Sequence, residues 1–262
     1  MSGLLLNEYV LAGIAYVLSF FILNRCSLFV GEIKASDKIG LFRWLLITVI
    51  AIASFLASML YTIQFLGSLK GSVFAGLSAA IALLILSYLI GSTARKELFG
   101  SSNSYIKFFK GVFFGLISYP FITITVQLIN LVLSYLFGIE QQDQLAYIFL
   151  KNLAGSGWFF WAAVVSVAAI VPIGEELLFR GYILAFLCRI FQPGLVAAIS
   201  GAIFALFHMA SSQGFTNISF FIGLTIFGIL AANLKTKENS LLATIGMHSS
   251  FNTLSLIILI NQ

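Results

Sequence analysis

The chain has 262 residues, of which 60% are hydrophobic and only 9% charged, whereas a soluble domain carries roughly 25% charged residues. That balance excludes an ordinary soluble fold, and the continuous apolar runs exclude a membrane β-barrel, whose strands alternate polar and apolar residues. The formal charge of +5 would suit nucleic acid in a soluble protein. Here the basic residues sit in short loops between apolar segments, so they speak of topology and not of a nucleic-acid partner.

A spanning segment must satisfy its backbone hydrogen bonds internally, so a helix of about 20 apolar residues crosses the hydrocarbon core. The sequence therefore predicts an all-α, polytopic transmembrane helical bundle of about eight spans: 9–30, 44–66, 72–92, 111–137, 157–190, 194–210, 216–234 and 240–260. The first is expected to be a retained span, because Met1 to Asn7 carries no basic residue and no small-residue cleavage site is evident. Pro120 should kink the fourth or lie at a break. The fifth would run to about 50 Å as one straight helix, and Pro172 and Gly174 mark where it should bend or break.

Loop charges set the expected orientation. Arg25, Lys34, Lys38, Arg43, Arg95, Lys96, Lys107, Lys110, Arg180, Arg189, Lys235 and Lys237 fall on odd-numbered loops, and only Lys70 and Lys151 on even ones. Both termini should then lie outside the cytoplasm, with Arg180 the one member of the set that could sit within the membrane. Cys26 and Cys188 lie in or beside apolar segments and read as inert thiols, not a disulfide framework or a metal site. The stretch 138–156 is the longest polar one on the non-cytoplasmic side. Trp158 and Trp161 suit a membrane interface.

Nearly all ionisable residues within the membrane segments fall in the C-terminal half. We divide the chain accordingly into accessory helices, 1–140, and a catalytic core, 155–257, with an intramembrane cavity. VPIGEELLFRG (171–181) places Glu175, Glu176 and Arg180 in an apolar run, and the two histidines, His208 and His248, fall in AIFALFHMA (202–210) and ATIGMHSSFN (243–252). Ionisable groups are costly in a bilayer and tend to face a bundle interior or a wet cavity. Glu176 and Arg180, Phe204 and His208, and His248 and Asn252 are each four apart, so each pair shares a helix face. Glu176 and Arg180 form a natural internal ion pair, and Glu175 then points about 100° away from Glu176 around the helix. A buried glutamate can act as general base on water, an imidazole can share that proton or hold a metal, and a second histidine with an amide can serve a developing oxyanion. No nucleophilic side chain is evident, so water is the expected attacker.

These residues resemble the CPBP family of intramembrane proteases, also called the CAAX protease and bacteriocin-processing or Abi family, related to the type II CAAX prenyl endopeptidases. Its pattern EExxxR, FxxxH, HxxxN stands here as EELLFR, FALFH and HSSFN, in order and complete, over about residues 155–257. The resemblance implies an intramembrane endopeptidase acting on a membrane-associated peptide or membrane-anchored protein in the lipid bilayer. By that resemblance Glu175 and His208 activate water, His248 and Asn252 form the oxyanion site, and Glu176, Arg180 and Phe204 support them. Members are often classed as metalloproteases. A zinc ion on Glu175, His208 and His248 and a metal-free base with an oxyanion hole both fit the residues. The resemblance also suggests a multi-pass protein of a bacterial plasma membrane. The same fold could instead serve as a non-catalytic partner of another membrane protein, in bacteriocin immunity or sensor-kinase modulation. The sequence contains no HExxH zinc motif and no GxGD aspartyl motif, and no paired broken helices in matching halves that would suggest a transporter.

Overall fold

The apolar runs fold as helices because a helix satisfies its backbone hydrogen bonds within one segment, as a crossing of lipid requires. A computed structural model describes residues 2–31, 33, 39–100, 105–139 and 145–261. In chain order these form α1 (Ser2–Arg25), α2 (Leu41–Leu66), α3 (Ser68–Leu89), α4 (Ser92–Phe99), α5 (Tyr105–Phe137) and α6 (Leu145–Leu153). There follow α7 (Trp158–Leu187), α8 (Pro193–Leu206), α9 (Thr216–Glu238) and α10 (Leu241–Ile260). Among the described residues there is no strand. The architecture is that of a polytopic helical bundle.

Six helices, α2, α3, α5, α7, α9 and α10, are long and apolar enough to cross a membrane, and α8 with the Tyr9–Arg25 part of α1 forms two shorter apolar helices. The expected sixth span, 194–210, is thus shorter than the sequence suggests, since its helix stops at Leu206. Two further helices, α4 and α6, were not foreseen, because at eight and nine residues they are too short to register as apolar runs.

Pro120 lies inside α5, which continues through it to Phe137. The expected break near Pro172 is absent, and the reason lies in the turns around it. Ser166–Ile170 and Leu177–Ile183 are π-helical, flanking the α-helical turn Val171–Glu176. The Val171 N–H reaches back five residues to the Ser166 carbonyl, so the ladder is already widened where proline withdraws its own donor. With 30 residues in one continuous helix, α7 is about 45 Å long. Its π turns are also docking points. Asn252 Nδ2 on α10 donates to the Val167 carbonyl at 3.0 Å, and Thr48 Oγ1 on α2 donates to the Tyr182 carbonyl at 3.2 Å.

Close helix crossings build the frame. A Cβ at Gly111 or Gly115 of α5 would collide with the Ala243 or Met247 carbonyl of α10, and one at Gly246 with the Phe108 carbonyl. Gly201 on α8 and Gly228 on α9 meet in the same way. Small residues permit such backbone approach in membranes, where packing rather than water expulsion holds helices together.

Many of the described basic residues gather at one end. Arg189 pairs with Glu97 at 2.7 Å, Lys235 reaches the Glu97 carbonyl, Arg43 the Ile90 carbonyl and Lys237 the Cys26 carbonyl. Lys107 and Lys110 at the start of α5 pair with Glu238 at the end of α9. Lys34 and Lys38 lie outside the described residues. At the opposite end Leu150 and Leu153 of α6 pack with Val73, Ala163 and Leu256, and Trp158 and Trp161 stand exposed. Both cysteines are free.

Candidate active site

Four helices supply the site. Glu175, Glu176 and Arg180 come from the middle of α7, Phe204 from the end of α8, His208 from the turn just after it, Phe227 from α9, and His248 and Asn252 from α10. The helical offset between Glu175 and Glu176 sends the two carboxylates to different neighbours.

Glu176 faces inward. Its Oε1 accepts from Arg180 Nη1 at 2.9 Å and from His248 Nδ1, also at 2.9 Å. Glu176 and Arg180 have no exposed surface. The guanidinium lies 4.4 Å from the Phe204 ring centroid and 5.6 Å from that of Phe227. These aromatic faces stabilise a cation that has left water. They matter here because Arg180 Nε and Nη2 have no hydrogen-bond partner.

Glu175 faces the two imidazoles. His208 Nε2 is 3.6 Å from its Oε1 and His248 Nε2 is 3.6 Å from its Oε2. These separations are longer than direct hydrogen bonds. A water held at about 2.8 Å from both a carboxylate oxygen and a ring nitrogen would complete a triangle on that edge. His208 Nδ1 donates to the Phe204 carbonyl at 2.8 Å. That bond assigns the Nδ1 proton and leaves Nε2 for the cavity. The rings of Phe204 and Phe227 brace both histidines, Phe204 lying 4.4 Å from His208 and Phe227 5.0 Å from His248, centroid to centroid.

Side-chain exposure falls from 32% at His208 through 15% at Glu175 to 6% at His248 and nothing at Glu176. The cluster is therefore most accessible at His208 and closed at Glu176.

The structure thus brings Glu175, His208 and His248 together and sets Glu176, Arg180 and Phe204 directly behind them. Asn252 lies one turn beyond His248 on α10, with one amide proton given to Val167. Phe227 escaped the sequence analysis. It is one of 27 phenylalanines and belongs to no motif, and only its contacts with Arg180 and His248 distinguish it.

Two imidazoles and a carboxylate are donors of the zinc-ligating type. Each Nε2 stands 3.6 Å from a different oxygen of Glu175. Among the described residues no group of three or more His, Cys, Asp or Glu side chains is placed to hold a metal ion. These residues as arranged do not fit a three-donor zinc site, and no chemical step below is routed through one.

Residues 157–254 match the family model of the Type II CAAX prenyl endopeptidase Rce1-like proteins. The match bears out the resemblance to CAAX proteases, and it spans the segment that carries all three motifs. No curated protein and no solved structure matched the chain. At the family level this similarity supports a protease of the membrane, and the apolar helices fit a multi-pass protein.

Proposed function

We propose that the protein is a CAAX-type intramembrane endopeptidase in which Glu175 activates water against a peptide bond of a membrane-associated peptide or membrane-anchored protein. The observation that carries this reading is the placement of the largely buried Glu175 carboxylate between two imidazole Nε2 atoms, each at 3.6 Å.

In the proposed reaction Glu175 takes a proton from water held between its Oε1 and His208 Nε2, and the hydroxide adds to the scissile carbonyl carbon. The carbonyl π electrons move to oxygen as the tetrahedral intermediate forms. His248 Nε2 and the second amide proton of Asn252 are the candidate donors to that oxygen. The C–N bond then breaks, and the proton on Glu175 passes to the leaving amine.

His248 can donate from Nε2 only if the ring carries two protons, because Nδ1 already donates to Glu176. Glu176 then fixes the ring orientation from behind, as carboxylates do for catalytic histidines.

The test is a comparison of new protein N-termini in membranes from cells carrying the wild-type protein or Glu175→Gln, at equal membrane levels. Cleavage sites present with the wild type should vanish with Glu175→Gln and with His208→Ala. Identical termini in all three would refute hydrolysis at this site.

A further inference from the structure

Among the described residues, the exposed charges of the basic end are all of one sign. Arg25, Arg43, Lys96, Lys110 and Lys237 are exposed there. The acidic side chains described at that end, Glu97 and Glu238, are not. Both are already engaged, Glu97 by Arg189 and Glu238 by Lys107 and Lys110. One carboxylate against two ammonium groups leaves that second cluster positive, and half of the Lys110 side chain is exposed. Arg43 and Lys237 reach the Ile90 and Cys26 carbonyls, but a helix-end carbonyl offers only a fraction of a charge. The stretch between α1 and α2 adds Glu32, Lys34, Asp37 and Lys38, two charges of each sign, and leaves the balance unchanged.

These cations stand where apolar helices end. Arg43 lies in the first turn of α2, Lys110 in the second turn of α5 and Lys237 in the last turn of α9. All three helices are long and apolar enough to cross a membrane. Arg25 closes α1. The short helix α4 runs across the same end. It begins beside the Ile90 carbonyl that Arg43 holds, and after it Gly100 lies close against the Asn239 carbonyl that follows α9. α4 buries Ala94 and Leu98 and leaves Ser92, Thr93 and Lys96 exposed, as a helix lying in a membrane interface does. Tyr88 and Tyr105 are exposed nearby, and the Arg95 guanidinium lies 4.8 Å from the Tyr88 ring centroid. Tyrosine rings among basic side chains at helix ends mark the depth of the lipid headgroups.

Gathered like charges repel unless counter-charge meets them. At headgroup depth a lipid phosphate supplies it, and basic clusters beside spanning helices attract anionic lipids in this way. A zwitterionic lipid answers less well, because its own cation offsets its phosphate.

We propose that the basic end is a docking surface for anionic phospholipid headgroups, with Lys96, Lys110 and Lys237 as principal contacts and Arg25 and Arg43 beside them. The inference concerns this surface alone and stands whether or not Glu175 activates water.

The purified protein is reconstituted in phosphatidylcholine vesicles that contain a trace of spin-labelled phosphatidylglycerol or spin-labelled phosphatidylcholine. The fraction of each label that is motionally restricted at the protein surface gives its relative association. One basic side chain near a charged headgroup favours it by about fivefold, and only part of the lipid shell meets this end. Phosphatidylglycerol should therefore be preferred by at least about twofold. Lys96→Gln/Lys110→Gln/Lys237→Gln should bring that preference towards unity, whereas Lys151→Gln, which changes an exposed lysine on α6, should leave it unchanged. In the wild type about 1 M salt, which shortens the screening length to about 3 Å, should also abolish it. Equal restriction of the two lipids by the wild type, or a preference that survives the triple substitution, would overturn the proposal. If the triple variant does not accumulate in the membrane, the salt series decides, and a preference that high salt leaves intact would overturn the proposal. Both faces of the vesicle carry the same lipids, so the result does not depend on the direction of insertion.

Discussion

Replacing Arg180 with leucine isolates what the buried ion pair does. At 2.9 Å the attraction between Glu176 and Arg180 is about 6 kcal/mol for an effective dielectric of about 20. Most of it offsets the cost of taking both charges out of water. Arg180→Leu removes the offset but leaves the Glu176 charge buried, and losing one partner of such a pair costs about 3–5 kcal/mol. The second substitution, Glu176→Leu in the same chain, removes the orphaned charge. The double variant should therefore be more stable than Arg180→Leu alone, with a coupling of about 2–3 kcal/mol between the two sites. Thermal unfolding of the four purified proteins in one detergent, followed by the loss of a monodisperse gel-filtration peak, gives the ranking. The reasoning fails if Arg180→Leu unfolds within a degree or two of the wild type. It also fails if the two losses simply add.

Other expectations follow from the same geometry. Gly111→Val should destabilise the protein by more than about 2 kcal/mol, because its side chain would collide with the Ala243 carbonyl; the same unfolding assay checks it, with Gly13→Val, which has open space around it, as the control. Asn217→Ala removes both bonds to Ala210 and should cost about 1–3 kcal/mol while lowering the cleavage rate, with Asn217→Gln failing to restore either. Because no group of three or more His, Cys, Asp or Glu side chains among the described residues is placed to hold a metal ion, cleavage should survive dialysis against a strong chelator. A loss of activity that added zinc restores would show that the site rearranges around an ion.

The chemistry of the site was more legible in the sequence than its construction. Charges in an apolar run cannot be explained by solvation, so Glu175, Glu176, Arg180, His208 and His248 stood out. The four-residue spacing also gave the Glu176–Arg180 pair directly, since that contact lies within one helix. What depends on a second helix was hidden. Nothing in the spacing of either segment reveals that Glu176 also holds His248, that Asn252 binds a carbonyl freed by a π turn, or that Phe227 faces Arg180. At Pro172 the sequence allowed a bend or a break; the preceding turn is already wider than α, and the helix continues without a break. The short α8 was likewise missed because residues 207–210 remain mostly apolar after the helix has ended.

The account rests on a division of labour between two adjacent glutamates, and a matched pair of variants tests it. Glu175→Gln and Glu176→Gln are compared for unfolding temperature and for turnover of one peptide substrate in lipid nanodiscs. Glu175→Gln should unfold like the wild type but lose about 10²-fold or more in turnover, the size of a general-base contribution. Glu176→Gln should unfold measurably earlier, because it removes the charge that Arg180 and His248 share. A Glu175→Gln enzyme that keeps its turnover, with the loss falling on Glu176→Gln instead, would contradict the assignment of Glu175 as the base.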